Sequence, residues 1–257
     1  MDLELKDRVA LVAGSSRGIG KAIATALLRE GCRVCLTGRD AASLHSACEE
    51  LRKEFGEKYV TGIAGDLTEN SVIDAAMAAI CGDWGGLDIL VANLGTGSGK
   101  PGWEQNEEEW ARLFNLNFFG SVRLAQAAIP SMQAHGGSIV FISSIVGVEA
   151  TPAPLPYSAA KAALINYSKN LSRAVVEHNI RVNCIAPGNV NFPGSSWEKH
   201  LANRREVVEK YIDSEVPMKR FGTPEEIANL AVFLASPASR FVTGSCYVID
   251  GGQTRTL

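Results

Sequence analysis

The sequence predicts an α/β fold in which a parallel sheet of seven strands is covered by helices on both faces. Short apolar runs rich in β-branched residues alternate with helix-length segments along the 257 residues. Runs such as 9–13 are continuously apolar, which is typical of strands buried on both sides of a parallel sheet. No repeat or low-complexity segment interrupts this alternation, so we expect a single doubly wound domain over residues 1–257.

The seven strands and the helices between them follow in order from these runs. Strands are predicted at 8–13, 33–37, 59–64, 87–92, 137–143, 180–185 and 245–249. Helical periodicity predicts helices at 18–30, 40–55, 69–81, 107–134, 155–177 and 224–235. Because each strand is followed by a helix, right-handed crossovers are expected throughout.

One interval, 189–222, breaks the alternation. It begins with the turn residues 192–196 and continues as an amphipathic helix with Leu201, Val208 and Ile212 on one face. Long insertions at the carboxyl end of a strand commonly form lids and binding loops. The sequence therefore predicts a substrate lid over about 189–222.

Composition excludes several classes of function. Hydrophobic residues make up 46% and charged residues 21%, which excludes an intrinsically disordered chain. The net charge of −3 provides no basic field for nucleic acid or for an anionic membrane. Apolar runs fall far short of the roughly 20 residues of a membrane span, and residues 1–8 lack the apolar core of a signal peptide. We expect a cytoplasmic protein that binds neither nucleic acid nor membrane.

The six cysteines and four histidines indicate neither a disulfide framework nor a metal site. Cys32 and Cys35 resemble a redox motif, but they lie in a predicted strand, where residues three apart point to opposite faces. The six cysteines are therefore expected to be buried, reduced thiols. The histidines show no ligand spacing with cysteines or carboxylates.

A glycine-rich turn, Gly14-Ser15-Ser16-Arg17-Gly18-Ile19-Gly20, joins the first strand to the first helix. Glycines allow a tight turn and close approach of a ligand, and the helix N–H groups then face a pyrophosphate. Such a turn can also serve packing alone. Its position between a strand and a helix favours dinucleotide binding.

A second group of residues carries acid–base chemistry. Tyr157 and Lys161 are four residues apart at the start of a helix, so they share a face. A nearby ammonium favours the tyrosinate and lowers the pKa of a phenol. Ser144 follows the fifth strand, at the edge where such sheets bind ligands. A tyrosine and a lysine at this spacing also occur by chance, but here they accompany the glycine turn and Ser144.

The end of the second strand predicts the cofactor. A site selective for NAD places an acidic residue there, and this chain has Gly38 followed by Arg39. Arg17 can approach the same ribose, so two guanidinium groups would surround a 2′-phosphate, which predicts NADP(H). Asp40 could instead bond the ribose or pair with Arg39, but we expect it to cap the helix that begins at Ala41. Arg39 could also be a plain surface charge.

In this ordered set of motifs the sequence resembles the short-chain dehydrogenase/reductase family over essentially its whole length. The matching residues are the glycine turn, Asp66-Leu67, Asn93-Leu94-Gly95, Asn117, Ser144, Tyr157, Lys161, Pro187-Gly188 and Asp250-Gly251-Gly252. Three positions depart from the family pattern. Ala13 replaces a threonine, Ala92 replaces an asparagine, and Phe192 replaces the threonine that helps to hold the nicotinamide amide.

The resemblance implies a Rossmann-type fold and a role for each matching residue. Tyr157 would be the general acid, and Ser144 would hydrogen-bond the same substrate oxygen. Lys161 would hold the nicotinamide ribose and lower the pKa of Tyr157, and Asn117 would position a water in a proton relay. The implied cofactor contacts are Gly14, Ser15, Ser16, Arg17, Gly18, Ile19, Gly20, Arg39, Asp66, Leu67, Asn93, Gly95, Tyr157, Lys161, Pro187, Gly188 and Val190. The expected substrate contacts are Ser144, Val146, Tyr157 and Phe192, with Glu149 and Ala150 beside them.

The expected activity is NADP(H)-dependent reduction of a ketone or aldehyde of small size. The alternatives are a dehydrogenase that oxidises a sugar, polyol or steroid alcohol, and a catalytically silent regulator that binds the cofactor. Similarity to 3-oxoacyl-carrier-protein reductases is close, but His135 and His178 stand where those enzymes place arginines for the carrier. The family implies a homotetramer, with a homodimer as the alternative. The apolar residues on more than one face of helices 107–134 and 155–177 support an oligomer: Leu113, Phe118, Val122, Ala125, Ala162, Ala163, Ile165 and Leu171. Loops of the same chain covering these apolar faces are the other interpretation.

Overall fold

The computed structural model describes residues 2–100 and 102–256. Within these residues seven parallel strands form one sheet in the order β3-β2-β1-β4-β5-β6-β7. The strands are β1 (Val9–Val12), β2 (Arg33–Gly38), β3 (Val60–Ala64), β4 (Ile89–Ala92), β5 (Gly137–Ile142), β6 (Ile180–Pro187) and β7 (Cys246–Ile249). The predicted α/β class and its seven-stranded parallel sheet are confirmed. The order reverses between β1 and β4, so a crevice opens there at the carboxyl ends of the strands.

Helices cover both faces of the sheet. They are α1 (Gly18–Arg29), α2 (Ala41–Phe55), α3 (Asn70–Trp84), α4 (Glu107–Phe114), α5 (Gly120–Met132), α6 (Leu155–Ala174), α7 (Ser196–Glu215) and α8 (Pro224–Ala235). Along β1 the side chains alternate: Ala10 and Val12 pack in one core with α1, α2 and α8, whereas Val9 and Leu11 pack in the other with α3, α5 and α6. This burial on both sides explains why β1 is apolar throughout.

The helix predicted over 107–134 is not continuous. A π-helical turn at Asn115–Phe119 separates α4 from α5. A π turn adds one residue to the helical repeat and shifts the following side chains around the axis. A search for apolar residues with a period of 3.6 does not reveal such a turn. Asn117 lies in the turn and is completely buried.

The insertion at residues 189–222, here called the 189–222 segment, contains α7 and returns to its starting point. The Asn191 N–H donates to the Gly222 carbonyl at 3.2 Å, and the Gly222 N–H donates to the Asn189 carbonyl at 2.9 Å. As predicted, Val208 and Ile212 face inward. They form a small core with Val216 against Trp197, Leu201, Tyr211 and Phe221, separate from the two cores of the sheet.

All six cysteines are free thiols. Cys32, Cys35, Cys48 and Cys184 are buried as expected, but Cys246 is half-buried and Cys81 is exposed on the outer face of α3. In the part of the chain described, no helix is long and apolar enough to cross a bilayer. The same residues contain no group of three or more His, Cys, Asp or Glu side chains able to hold a metal ion.

Candidate active site

The glycine-rich turn is shaped by contacts that only glycine permits. Gly14 has a φ of +61°, and a Cβ at this position would lie 2.7 Å from the Asn93 carbonyl oxygen. A Cβ on Gly20 would overlap the Gly14 carbonyl oxygen. The Asn93 Nδ2 donates to the carbonyls of Ala13 (3.3 Å) and Gly14 (3.2 Å), which fixes the turn to the end of β4. The turn therefore presents bare backbone at the start of α1, as a phosphate group requires.

A cavity of about 1050 Å³ opens at the carboxyl ends of the strands, bounded by this turn. Most of the residues predicted to bind cofactor or substrate line it: Gly14, Ser16, Arg17, Ile19, Arg39, Asp66, Leu67, Asn93, Gly95, Ser144, Val146, Tyr157, Lys161, Pro187, Gly188, Val190 and Phe192. Four others, Ser15, Gly18, Gly20 and Asn117, lie behind this surface. The structure thus brings together residues from six strand ends and from the 189–222 segment.

Ser15 turns away from the cavity. Its Oγ donates to the Val12 carbonyl at 2.7 Å and accepts from the Thr37 N–H at 2.9 Å, and its own N–H donates to the Thr37 carbonyl. Ser15 is fully buried. Contrary to the expectation of a cofactor contact, its polar groups join the ends of β1 and β2.

Tyr157 and Lys161 project from the first two turns of α6 toward Ser144. Burial raises the pKa of Tyr157, and the neighbouring Ser144 side chain only partly opposes this shift. The net shift of the Tyr157 pKa is therefore upward, and the lowering that we expected from Lys161 stays a prediction.

Lys161 is held by main-chain oxygens. Its Nζ donates to the Leu94 carbonyl at 3.1 Å and to the Ile142 carbonyl at 2.9 Å, at the ends of β4 and β5. The residue is 4% exposed, and burial lowers the pKa of Lys161 to about 8. An ammonium has three N–H donors, so one remains for a ligand in the cavity.

Asn117 acts on the loop after β4 and is completely buried. Its Nδ2 donates to the carbonyls of Leu113 (2.9 Å) and Thr96 (3.2 Å), and its Oδ1 accepts from the Thr96 N–H at 2.9 Å. Gly95 passes so close that a Cβ there would lie 3.0 Å from the Lys161 Nζ. The π turn that carries Asn117 therefore positions the loop beside Lys161.

The end of the cavity next to β2 carries two arginines. Arg39 follows β2, is exposed and lines the cavity together with Arg17. Asp40 is the N-cap of α2, as predicted: its Oδ1 accepts from the Ser43 N–H at 2.8 Å, and its hydrogen bonds to the Ser43 side chain and N–H lower its pKa. Because this carboxylate is occupied at the helix end, the two guanidinium groups suit a phosphate.

The 189–222 segment supplies residues that the sequence reading missed. Trp197 and Tyr211 stack with ring centroids 5.7 Å apart, and both line the cavity with His200 and Arg204. Gln253, beyond β7, donates from Nε2 to the Tyr211 hydroxyl at 2.9 Å. The four-residue spacing of His200 and Arg204 could have indicated that they share one face of α7. No sequence motif indicates that Gln253 belongs to the site.

Beyond Ser144, the predicted substrate contacts are divided. Val146 lines the cavity, as does Phe192, whose ring lies directly against Gly18. Glu149 and Ala150 do not line it. The Glu149 Oε2 instead accepts from the N–H groups of Arg255 (2.7 Å) and Thr256 (3.0 Å), so its carboxylate holds the chain end.

Comparisons with known proteins agree with this geometry. The family model described as enoyl-(acyl carrier protein) reductase matches residues 13–254. A 3-oxoacyl-[acyl-carrier-protein] reductase of Chlamydia muridarum is 36% identical over 254 residues, covering 98% of this chain and 100% of the relative. A 2-(S)-hydroxypropyl-CoM dehydrogenase of Xanthobacter autotrophicus is 32% identical and covers 99% of both chains.

Among solved structures, the L-sorbose reductase of Gluconobacter frateurii, complexed with NADPH and L-sorbose, is 38% identical. It superposes with a TM-score of 0.93 and covers 100% of both chains. The glycine turn, the Ser144, Tyr157 and Lys161 group and these matches lead to one conclusion. This chain is an oxidoreductase that belongs to the short-chain dehydrogenase/reductase family.

Proposed function

We propose that this protein reduces the carbonyl group of a ketone or aldehyde to an alcohol with NADPH. The observation that carries the proposal is that Tyr157, Ser144 and Lys161 line one cavity together with the glycine-rich turn. NADPH, when bound, supplies the hydride. The chain supplies a proton, an anchor for the substrate oxygen and a fixed orientation.

Tyr157 is the proposed general acid. Its raised pKa keeps the hydroxyl protonated at neutral pH, the form that donates a proton to the substrate oxygen as negative charge develops there. Ser144 donates a second hydrogen bond to the same oxygen. In the reverse reaction Tyr157 would accept the proton from the alcohol.

Lys161 and Asn117 have distinct roles in this proposal. The remaining N–H of Lys161 would bond the nicotinamide ribose, and its positive charge would stabilise a tyrosinate at Tyr157 after proton transfer. Asn117 is a positioning residue, since both of its N–H groups are used on the backbone near Lys161. A proton relay through water would pass beside this π turn.

The cofactor we assign is NADP(H). Arg39 and Arg17 would bind the 2′-phosphate, and Gly38 occupies the place where a carboxylate would repel it. The L-sorbose reductase that this chain resembles is complexed with NADPH. The glycine-rich turn would receive the pyrophosphate, with Asp66, Asn93 and the residues of 187–190 along the rest of the cavity.

The substrate end of the cavity favours a polyhydroxylated ketone. The Asn189 Nδ2 donates to the Gln253 Oε1 at 2.7 Å, and Gln253 in turn bonds Tyr211, so amide and hydroxyl groups line this wall beside Trp197. Stacked aromatic rings and amides suit a sugar-like molecule better than a long acyl chain. We treat residues 1–257 as one domain, with the 189–222 segment as its lid.

The test is a matrix of purified protein, cofactor and substrate. NADPH oxidation is measured with ketose sugars, small ketones and 3-oxoacyl thioesters, and NADP⁺ reduction is measured with the matching polyols and alcohols. The proposal expects the highest kcat/KM with NADPH and a hydroxylated ketone. A higher kcat/KM for alcohol oxidation under comparable conditions would favour the dehydrogenase, and preference for acyl thioesters would favour a carrier-protein substrate. Cofactor binding without turnover of any compound would favour the silent regulator.

A further inference from the structure

Two thiols meet at the edge of the sheet. Cys184 in β6 and Cys246 in β7 are register partners in this parallel strand pair. Partners in neighbouring strands point to the same face, and their backbones lie about 4.8 Å apart, within the roughly 4.4–6.8 Å Cα separation of disulfides. The two side chains interact closely enough for each thiol to shift the pKa of the other, and the Cys184 Sγ also lies 3.7 Å from the Ile185 carbonyl oxygen.

The two thiols differ in exposure and in acidity. Cys184 is fully buried under α6, whereas Cys246 is half-buried on β7, the last strand of the sheet in the described chain. Interaction with the Cys184 side chain lowers the pKa of Cys246. The same interaction, together with burial, raises the pKa of Cys184. The reachable thiol therefore has the greater thiolate character.

We propose that Cys184 and Cys246 form an oxidisable dithiol that reacts with a small peroxide and closes to a disulfide. The Cys246 thiolate attacks one peroxide oxygen, the O–O bond breaks, and the leaving hydroxide takes up a proton to become water. The resulting sulfenic acid at Cys246 is attacked by the Cys184 sulfur. The S–S bond forms as the S–O bond breaks, and the proton of Cys184 leaves with the hydroxide as a second water.

The other cysteines supply internal comparisons. Burial raises the pKa values of Cys32 and Cys35 to about 12, so these thiols are unreactive in the folded protein. Cys81 is exposed and has no cysteine partner in the register of the sheet. It therefore serves as the accessible thiol for comparison.

A contact path connects the dithiol to the active site. The Ser143 N–H donates to the carbonyl of Ile185, the residue after Cys184 in β6, at 2.7 Å. The Ser143 Oγ donates to the Lys161 carbonyl at 2.9 Å, and Ser143 immediately precedes Ser144. Drawing the Cys184 side chain toward β7 would therefore displace the β6 backbone to which Ser143 is bonded, and with it the backbone that positions Ser144 and Lys161. This consequence for activity rests on the proposed function, whereas the disulfide itself does not.

The experiment uses the full chain with Cys81→Ser, so that the exposed thiol is absent. After treatment of the folded protein with hydrogen peroxide, intact mass should fall by two hydrogen atoms, and digestion should yield a peptide linked through Cys184 and Cys246. The kcat/KM for carbonyl reduction should fall about tenfold and recover with dithiothreitol. The matched double variant Cys81→Ser/Cys246→Ser should form no link and keep its activity in peroxide.

Three results would overturn parts of this proposal. The dithiol assignment fails if no linked peptide forms at a peroxide concentration that oxidises Cys81 in the unmodified chain. It also fails if Cys246 gains oxygen but never closes on Cys184. A complete cross-link with unchanged kcat/KM would overturn the connection to the active site. Because the mass measurement needs no substrate, a wrong proposed function leaves the test of the disulfide intact.

Discussion

Arg17 in the glycine-rich turn donates a hydrogen bond from Nη1 to the carbonyl oxygen of Gly194, at 3.0 Å and across 177 positions of sequence. Gly194 has a φ of +81°, and a Cβ there would lie 2.5 Å from this same nitrogen. The guanidinium that we assign to the cofactor phosphate therefore also holds the first turn of the 189–222 segment. The Arg17 side chain therefore connects the glycine-rich turn to the 189–222 segment.

Arg17→Ala should loosen the 189–222 segment in the cofactor-free protein. Tryptic cleavage after Arg204 or Arg205, both exposed on α7, should accelerate several-fold because local opening becomes easier. Mass spectrometry of timed digests measures the cleavage. Arg173→Ala, an exposed arginine on α6, is the control and should cleave at the parent rate. Equal rates for both variants would show that the Arg17 bond does not hold the segment.

Tyr157→Phe should lower kcat at least ~10²-fold, the usual loss when a general acid is removed. NADPH affinity, measured by fluorescence titration, should stay close to that of the parent because the phenyl ring remains in place. Tyr59→Phe, outside the cavity, should behave like the parent. A kcat near the parent value in Tyr157→Phe would contradict the assigned acid.

The pH profile should report Lys161. Burial disfavours its ammonium, so its pKa falls from 10.5 to about 8, and the amine becomes increasingly neutral above that pH. The proposed role requires the charged form. The kcat/KM for reduction should therefore decline above about pH 8 and approach a tenfold loss per pH unit. Tyr157 has a raised pKa and stays protonated across this limb.

Lys161→Arg separates this charge from other causes of the decline. A guanidinium stays protonated throughout the accessible range, so any residual activity should lose the limb near pH 8. Initial rates at saturating NADPH measure the profile. A parent profile that stays flat to pH 10 would exclude the proposed role of the charge.

NADPH should be preferred over NADH by at least ~10-fold in kcat/KM. Arg39→Ala should weaken the use of NADPH while sparing NADH, since a charge-assisted hydrogen bond to a phosphate contributes roughly 1.5–3 kcal/mol. Arg29→Ala, an exposed arginine on α1 outside the cavity, is the control. A parent enzyme that favours NADH would contradict the assignment.

The protein should be a tetramer by light scattering at micromolar concentration. Leu113 and Ala125, which the sequence suggested as surplus apolar surface, are buried within the chain. Phe119, the last residue of the π turn, and Leu155, the first residue of α6, are each 46% exposed. Phe119→Asp should shift the mass toward smaller species, because a carboxylate cannot be buried there unpaired. Lys53→Asp, on the exposed face of α2, should not. A parent chain that scatters as a monomer would refute the prediction.

Most of the fold could be predicted because strands and helices each leave a characteristic spacing of apolar residues in the sequence. The cap at Asp40 was also predictable, since a residue of this type at a helix start satisfies nearby N–H groups. The π turn was not, because an added residue leaves the local composition unchanged. The strand ends differ from the predicted ones by one or two positions, as at Ala13 and Ser143, because apolar or small residues continue past the last regular pairing of the sheet.

The candidate site was predictable where its residues follow strand ends. The roles of Ser15 and Asn117 were not, since the direction in which a small polar side chain turns depends on which backbone groups lack partners after folding. Gln253 joins the site through a contact with Tyr211, 42 positions away. The pKa of Tyr157 depends on how deeply the side chain is buried, and the four-residue spacing of Tyr157 and Lys161 in the sequence does not reveal that burial.

The 189–222 segment begins and ends at neighbouring positions, so another segment can replace it without moving the sheet. It leaves the sheet at Asn189 and returns at Gly222, and backbone hydrogen bonds hold these two positions together. Its small core depends on residues within the segment itself. A segment of different length and composition can therefore be grafted between the same two ends without altering the spacing of Ser144, Tyr157 and Lys161. Substrate range and proton transfer are thus free to diversify separately in proteins built on this plan.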